Sequence, residues 1–308
     1  MRSKLFIPGS RPELFAKALS GAAAALSFDL EDAVVEERKA EARSQVSELL
    51  RSPAAQASGK TLIVRVNAID TAHFEADVAA VACDGLHLLN LPKAESVEQV
   101  RAAVAALEAA ERANGVTRPA RLMLNVESPR GLQEAAAMAQ AHSRVAGLQL
   151  GLGDFFEPLG IMRRDAANVH AAMFAMRMAA AQAGVFAYDG AFADVHDAQG
   201  YVAEARMARR LGYIGKSCIH PSQVTLAHQV FRPSQTEIER SQRIVEAARH
   251  AQTRGVGAYL VDGQMVDGPF VRGAERVLAH ARRLGLLAER GASADVPMPN
   301  AKRTLETA

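Results

Sequence analysis

The sequence predicts a (β/α)8 TIM barrel carrying a small C-terminal helix-hairpin-helix extension. Three observations predict it. Eight short apolar runs alternate with longer Ala-, Glu-, Arg- and Gln-rich stretches of helical character. Polar and charged residues gather just after the apolar runs, where a parallel barrel builds its active site. Finally, 308 residues with 49% hydrophobic content supply the core that one large α/β domain needs.

The runs begin near Lys4, Ala25, Thr61, Gly85, Arg121, Gly147, Val185 and Gly212. Strand–helix alternation repeated eight times favours a closed barrel over a doubly wound sheet. The barrel is expected to occupy residues 1–231. A long helical stretch, Ser234 to Arg254, opens the extension (232–287). Then Gly255 to Pro269 reads as a hairpin turning at Asp262-Gly263, and a last helix runs to about Leu287. The polar tail 288–308, with prolines at 297 and 299, is expected to be mobile.

Composition excludes several classes. Lys and Arg number 36 and Asp and Glu 34, so a net charge of +2 gives no electrostatic case for nucleic acid or a membrane surface. No run approaches the roughly 20 apolar residues of a membrane span. The N-terminal apolar stretch is too short for a signal peptide. The two cysteines, Cys83 and Cys218, lack metal-ligand spacing and suit a reducing cytoplasm.

Glu127 and Asp154 are the central candidates. Each closes an apolar run, Leu122 to Glu127 and Leu148 to Asp154, and each precedes a helical pattern. Carboxylates on neighbouring strand ends repel by about 4 kcal/mol at roughly 4 Å and an effective dielectric of about 20. A divalent cation between them removes the conflict. The ligands are all oxygen, with no histidine or cysteine beside them, which favours Mg²⁺ over zinc. The competing reading is two independent helix caps.

Other strand ends supply Asp29, Glu31 and Asp32, then Arg65 and Asn67, Lys93, Asp189, and Lys216 with His220. The segment Phe28-Asp29-Leu30-Glu31-Asp32-Ala33-Val34 holds three carboxylates in four positions, more than a helix cap needs. Arg65, between Val64 and Val66, either pairs with an acidic neighbour or grips a substrate carboxylate with its fork. His220 either fixes a turn or contacts substrate. Lys93 and Asp189 have the same two readings, and Cys218 reads as core packing.

The chain resembles the citrate lyase beta subunit and malyl-CoA lyase group of the HpcH/HpaI aldolase superfamily, nearly throughout to about Leu287. The resemblance rests on segments that recur in order: Leu5 to Pro12, Phe28 to Val34, Val64 to Asn67, Leu91 to Glu95, Glu127 to Gly131, Gly151 to Asp154 and Ile219 to Pro221. It implies an enzyme that breaks or makes a carbon–carbon bond beside a thioester, with Mg²⁺ as cofactor and coenzyme A as part of the substrate. Glu127 and Asp154 match the family's metal ligands, and Arg65 matches the arginine binding substrate oxygens nearby. Phe6, Arg11 and Lys17 match positions contacting coenzyme A; Gly153, His220 and Pro221 lie in matching segments and are assigned to substrate binding. Asp267 matches an aspartate that a neighbouring subunit lays over the active site, which implies a homotrimer or homohexamer; its other reading is a helix N-cap before Gly268-Pro269. The base is left open: Glu31 and Asp32 are candidates, and so is a bound water.

A second branch of the superfamily cleaves 2-keto-3-deoxy acids. It lacks the acidic Asp29-to-Val34 motif and the C-terminal extension, and both are present here. Three competitors share the resemblance: a malate synthase or thioesterase on the same site, a citrate lyase beta subunit acting on an acyl carrier protein thioester, and a regulatory subunit without the chemistry.

Overall fold

A computed structural model describes residues 1–287. The chain divides into two compact units, Met1–Phe231 and Arg232 onward. The tail expected to be mobile, 288–308, lies outside the described residues.

The first unit is a barrel of eight parallel strands. They are β1 (Ser3–Pro8), β2 (Ala25–Asp29), β3 (Thr61–Arg65), β4 (Leu88–Leu91), β5 (Arg121–Val126), β6 (Val145–Leu150), β7 (Phe186–Tyr188) and β8 (Lys216–Cys218). Hydrogen bonding follows the order β7-β6-β5-β4-β3-β2-β1-β8. An isolated parallel bridge between Asp189 and Lys216 joins β7 to β8 and closes the ring. Every strand is followed by at least one helix, as the sequence pattern predicts.

Two strand starts differ from expectation. Gly85 lies before β4, in a turn where an added Cβ would fall 2.0 Å from the Leu50 carbonyl oxygen, so it is a close-approach glycine. Gly212 has φ of 85° and follows the end of the helix Ala198–Arg210, as a glycine in the left-handed region commonly does. Strand β8 starts at Lys216. Lys216 therefore opens a strand instead of ending one.

Most of the core lies between the strands and the surrounding helices. Inside the barrel, the N-terminal end is plugged by an apolar layer that includes Ala25, Ile63, Leu88, Met123 and Tyr188. Side chains alternate faces along a strand. Two residues further along, the inward positions become Ser27, Asn90 and Asn125, all buried and all polar. The barrel thus changes from an oily plug to a polar floor as it approaches the strand C-termini.

The second unit contains the helix Gln235–Thr253, strands β9 (Tyr259–Val261) and β10 (Gln264–Val266), and the helix Gly268–Arg283. A Ser234/Glu237 capping box starts the first helix. Asp262 and Gly263 turn the antiparallel hairpin with φ of 52° and 76°. Positive φ at both central residues is the type I′ requirement that an Asp-Gly pair meets. A small apolar cluster of Ile244, Val261, Val266 and Ala274 holds the hairpin to the two helices. Among the described residues no helix is long and apolar enough to cross a membrane.

Candidate active site

A cavity of about 830 Å³ opens at the C-terminal ends of the barrel strands. That volume lies in the range of small-molecule and cofactor sites. Glu127 and Asp154 both line it, together with Asp29, Asp32, Arg65 and Gly153.

Glu127 follows β5 directly and is 6% exposed. Its Oε1 accepts from Asn125 Nδ2 at 2.9 Å, and its Oε2 accepts from the Lys93 backbone N–H at 2.9 Å. Lys93 has φ of 51°, in the left-handed region that non-glycine residues seldom enter. That turn aims its amide at Glu127. Burial, reinforced by the charge of Asp154, raises the Glu127 pKa, although Arg65 pulls it down. Asp154 occupies the first turn of the short helix Leu152–Phe156, exposed to the cavity.

Arg65, the last residue of β3, faces the acidic motif. Its Nε and Nη2 donate to the two carboxylate oxygens of Asp29 at 2.8 and 2.7 Å. Nη1 lies 2.9 Å from Glu31 Oε2 and 3.2 Å from Asp32 Oδ2. Lys93 Nζ reaches Glu31 at 2.7 Å and Asp32 at 3.3 Å. These charges raise the pKa of Arg65 against the opposing effect of burial. Burial pushes Glu31 up to about 7 in spite of both cations. For Asp32 burial acts in the same direction, but Arg65 and Lys93 outweigh it and hold the carboxyl below its ordinary value.

The local charge is unbalanced. Of the charged residues lining the cavity, six are carboxylates (Asp29, Asp32, Glu127, Asp154, Glu157, Asp194) and three are arginines (Arg65, Arg163, Arg164). Among the described residues no group of three or more His, Cys, Asp or Glu is arranged to hold a metal. Two carboxylates suffice for Mg²⁺, which keeps several waters and demands few protein ligands. The donor set of Glu127 and Asp154 therefore fits that ion, and each Glu127 oxygen retains a lone pair beside its single hydrogen bond.

The sequence profile of the HpcH/HpaI aldolase/citrate lyase family matches residues 2–221. The chain belongs to that family. It is 34% identical to the citrate lyase subunit beta of Escherichia coli over 290 residues, covering 94% of this chain and 95% of that one. Its identity to an L-malyl-CoA/beta-methylmalyl-CoA lyase of Cereibacter sphaeroides is 33% over 304 residues, covering 92% and 95%. Among solved structures, the CitE protein of Mycobacterium tuberculosis in complex with magnesium, acetoacetate and coenzyme A superposes with a TM-score of 0.74. It shares 31% identity, and the match spans 92% of this chain and all of that one.

The remaining family-matched positions sit as follows. Phe6 points into the cavity from β1, with the Arg65 guanidinium 5.3 Å from its ring centre. Arg11 and Lys17 are exposed after β1, Arg11 paired with Glu13 at 2.7 Å. Glu31 is buried beneath Arg65 and Lys93, whereas Asp32 lines the cavity. His220 caps the helix Pro221–Val230, its Nδ1 accepting from the Ser222 N–H at 3.2 Å, with Pro221 in the first turn. Its neighbour Ile219 reaches the cavity. Asp267 stands at the N-cap position of the helix Gly268–Arg283 but makes no capping bond, and among the described residues its buried Oδ1 meets no partner.

Asp189 and Lys216 form a buried ion pair at 2.7 Å, completed by Glu204 at 2.7 Å from the same ammonium. For Asp189 the structure therefore shows the structural pairing. The sequence reading missed Arg163 and Arg164, which line the cavity from the loop after β6. Glu204 holds Arg163 at 2.7 Å, and Asp194 holds Arg164 at 2.7 Å. The Arg-Arg doublet was the available signal. Gln149 and Asn125 were also missed.

Proposed function

We propose that this protein is a Mg²⁺-dependent carbon–carbon lyase that cleaves, or forms, a 3-hydroxyacyl-CoA thioester such as malyl-, citramalyl- or hydroxymethylglutaryl-CoA. The observation that carries the reading is the placement of Glu127 and Asp154 on one cavity beside Arg65, with an excess of negative charge. The magnesium, acetoacetate and coenzyme A named for the Mycobacterium tuberculosis relative support it, as does the malyl-CoA lyase activity named for the Cereibacter sphaeroides relative.

Glu127 and Asp154 would hold the metal, which supplies Lewis-acid polarisation of a substrate oxygen. Arg65 keeps one N–H beyond its four acidic contacts and offers it to charge developing on the substrate, a type of stabilisation usually worth several kcal/mol. The hydroxyl proton goes to the acidic motif, with Asp32 at the cavity surface and Glu31 behind it, or to a bound water. The bond between the carbinol carbon and the thioester α-carbon then breaks, giving a keto acid and the enolate of the acyl-CoA. Asp267 from a neighbouring copy returns a proton to the enolate carbon, in a homotrimer or homohexamer. Phe6, Arg11 and Lys17 contact the coenzyme A portion, and Gly153, His220 and Pro221 complete the substrate site. Buried, unpaired Cys83 and Cys218 suit work in the cytoplasm.

The test is lysis of malyl-, citramalyl- and 3-hydroxy-3-methylglutaryl-CoA with Mg²⁺ by wild type and Asp154→Ala. Undiminished turnover of the best substrate by the variant sinks the metal assignment. Asp267→Asn should bind substrate and turn it over slowly, and mixing it with the Asp154 variant should restore activity if subunits share sites. The name of the Escherichia coli relative favours one second reading, a beta subunit acting on a carrier-protein thioester. Inactivity on all three CoA thioesters, with activity on the carrier-bound form, would establish it.

A further inference from the structure

Beside Phe6 and Gln149, which line the cavity, lies a buried lysine that the mechanism above does not use. Lys4 lies on the inward face of β1, fully buried, with its ammonium 4.2 Å from the centre of the Phe6 ring. Among the described residues its hydrogen-bond acceptor is Gln149 Oε1, on β6 across the barrel interior. Ser217 Oγ points at the same oxygen from 3.5 Å. The amide oxygen of Gln149 faces Lys4 and Ser217, with its nitrogen turned away, and burial, reinforced by Arg65, lowers the Lys4 pKa well below its ordinary value. Gln149 is 3% exposed and lines the cavity. Among the described residues no acceptor meets its Nε2.

The neighbouring position is also half-satisfied, but with an acceptor left open instead of a donor. Asn125 is paired in register with Gln149 and also lines the cavity. Its Nδ2 is committed to Glu127, and its Oδ1 is buried with no partner. A buried amide left open toward a cavity costs free energy unless a ligand or water completes it. Phe6, Leu150 and Ile219 supply apolar lining nearby, and Glu127 and Arg65 supply charge.

We propose that Gln149, oriented by Lys4, is a specificity-determining donor for a carboxylate oxygen on the keto-acid half of the substrate. The inference rests on the proposed lyase reading and deepens it. The substrate half that enters the floor is a 2-keto carboxylate, and an alkyl group in that place leaves the amide unpaired. Lys4 is a positioning residue: it touches no substrate and acts by denying Gln149 the flipped orientation.

The experiment is calorimetric titration of the full chain with Mg²⁺ alone, then with pyruvate or oxalate at saturating Mg²⁺. Gln149→Leu is expected to bind Mg²⁺ as wild type does and to lose roughly 10- to 100-fold in affinity for the keto acid, the range for one hydrogen bond to a charged group. Lys4→Met is expected to show the same split, and Lys4→Arg, which keeps a donor and no acceptor, to recover most of the loss. Circular dichroism establishes that each variant is folded. Should Gln149→Leu not fold, the contrast between Lys4→Met and Lys4→Arg decides. Equal keto-acid affinity in wild type and the folded variants overturns this inference and leaves the lyase reading intact. Failure of wild type to bind either Mg²⁺ or keto acid overturns both.

Discussion

Glu127 and Gly151 compete for one volume: a Cβ on Gly151 would stand 2.5 Å from Glu127 Cγ and 2.6 Å from Oε1. The glycine lies just after β6, beside the strand end that carries Glu127. It has no side chain because the carboxylate occupies that place. Among the described residues this contact defines most sharply where Glu127 points.

Gly151→Ala should therefore displace the carboxylate without removing it. The expected result is a Mg²⁺ affinity lower by roughly 10- to 100-fold, as for other changes that disturb ligand support. Overpacking should also cost about 1–3 kcal/mol of stability. Isothermal titration with Mg²⁺ and urea unfolding measure the two effects. Wild-type affinity in Gly151→Ala would show that Glu127 has room the structure does not give it.

Arg65 balances Asp29, Glu31 and Asp32, and its side chain is only 12% exposed. Arg65→Ala strands those carboxylates, and loss of one partner from a buried pair costs about 3–5 kcal/mol. Arg65→Lys keeps the charge but not the two parallel bonds to Asp29, so it should retain more stability than activity. Denaturant unfolding and thioester lysis assays separate the two. Equal loss of both in the lysine variant would contradict the bidentate role.

These residues show which parts of the site were legible in the sequence. Glu127, Asp154 and the acidic motif stand where apolar runs stop, so their strand-end position can be read directly. Lys4 and Gln149 cannot be read that way. A polar residue alternating with apolar ones on a strand ordinarily signals a solvent face, whereas here Leu5 and Ile7 of β1 and Leu148 and Leu150 of β6 pack toward the helices, and Lys4 and Gln149 face inward. Arg163 and Arg164 sit in a loop that no periodicity positions. The starts of β4 and β8 were misplaced because Gly85 and Gly212 serve a close approach and a helix end, and both uses resemble strand boundaries in sequence.

Lys216 is expected to matter for folding and not for chemistry. Its ammonium meets Asp189 and Glu204 at 2.7 Å in a fully buried setting. Lys216→Met leaves two buried carboxylates with Arg163 as their nearby cation, and should cost about 3–5 kcal/mol in urea unfolding. The remaining folded fraction should bind Mg²⁺ with wild-type affinity. A loss of metal binding in folded Lys216→Met would place the residue in the active site after all.

Glu31 predicts a pH dependence of stability. Burial raises its carboxyl from 4.5 to about 7, with Arg65 and Lys93 opposing. A raised folded-state pKa means the folded chain binds the proton more tightly than the unfolded chain. The contribution is fully present below about 4.5 and is lost as pH rises through about 7. At roughly 1.4 kcal/mol per pKa unit, the total is on the order of a few kcal/mol. Glu31→Gln holds a neutral group at every pH, so the drop in Tm of the metal-free protein between pH 5 and pH 8 should shrink. An unchanged drop would mean that Glu31 is already ionised at pH 5.

Lys93 joins two functions that one substitution can separate. Its backbone N–H binds Glu127 from a left-handed conformation, and its side chain pairs with Glu31 and Asp32. Lys93→Gly adopts that backbone at no steric cost and should keep Glu127 in place, so Mg²⁺ affinity should change by less than about threefold, or under 1 kcal/mol. Lys93→Ala carries the same loss of charge and retains the backbone strain, on the order of 1–3 kcal/mol at such a position. It should be less stable than the glycine variant. Both variants remove a cation that lowers the pKa of Glu31, so the pH at which stability falls should move upward in both. Metal titration at pH 8 and thermal unfolding across pH 5–9 read these effects independently. Equal Mg²⁺ losses in the two variants would assign the effect to the ammonium and not to the amide that holds Glu127.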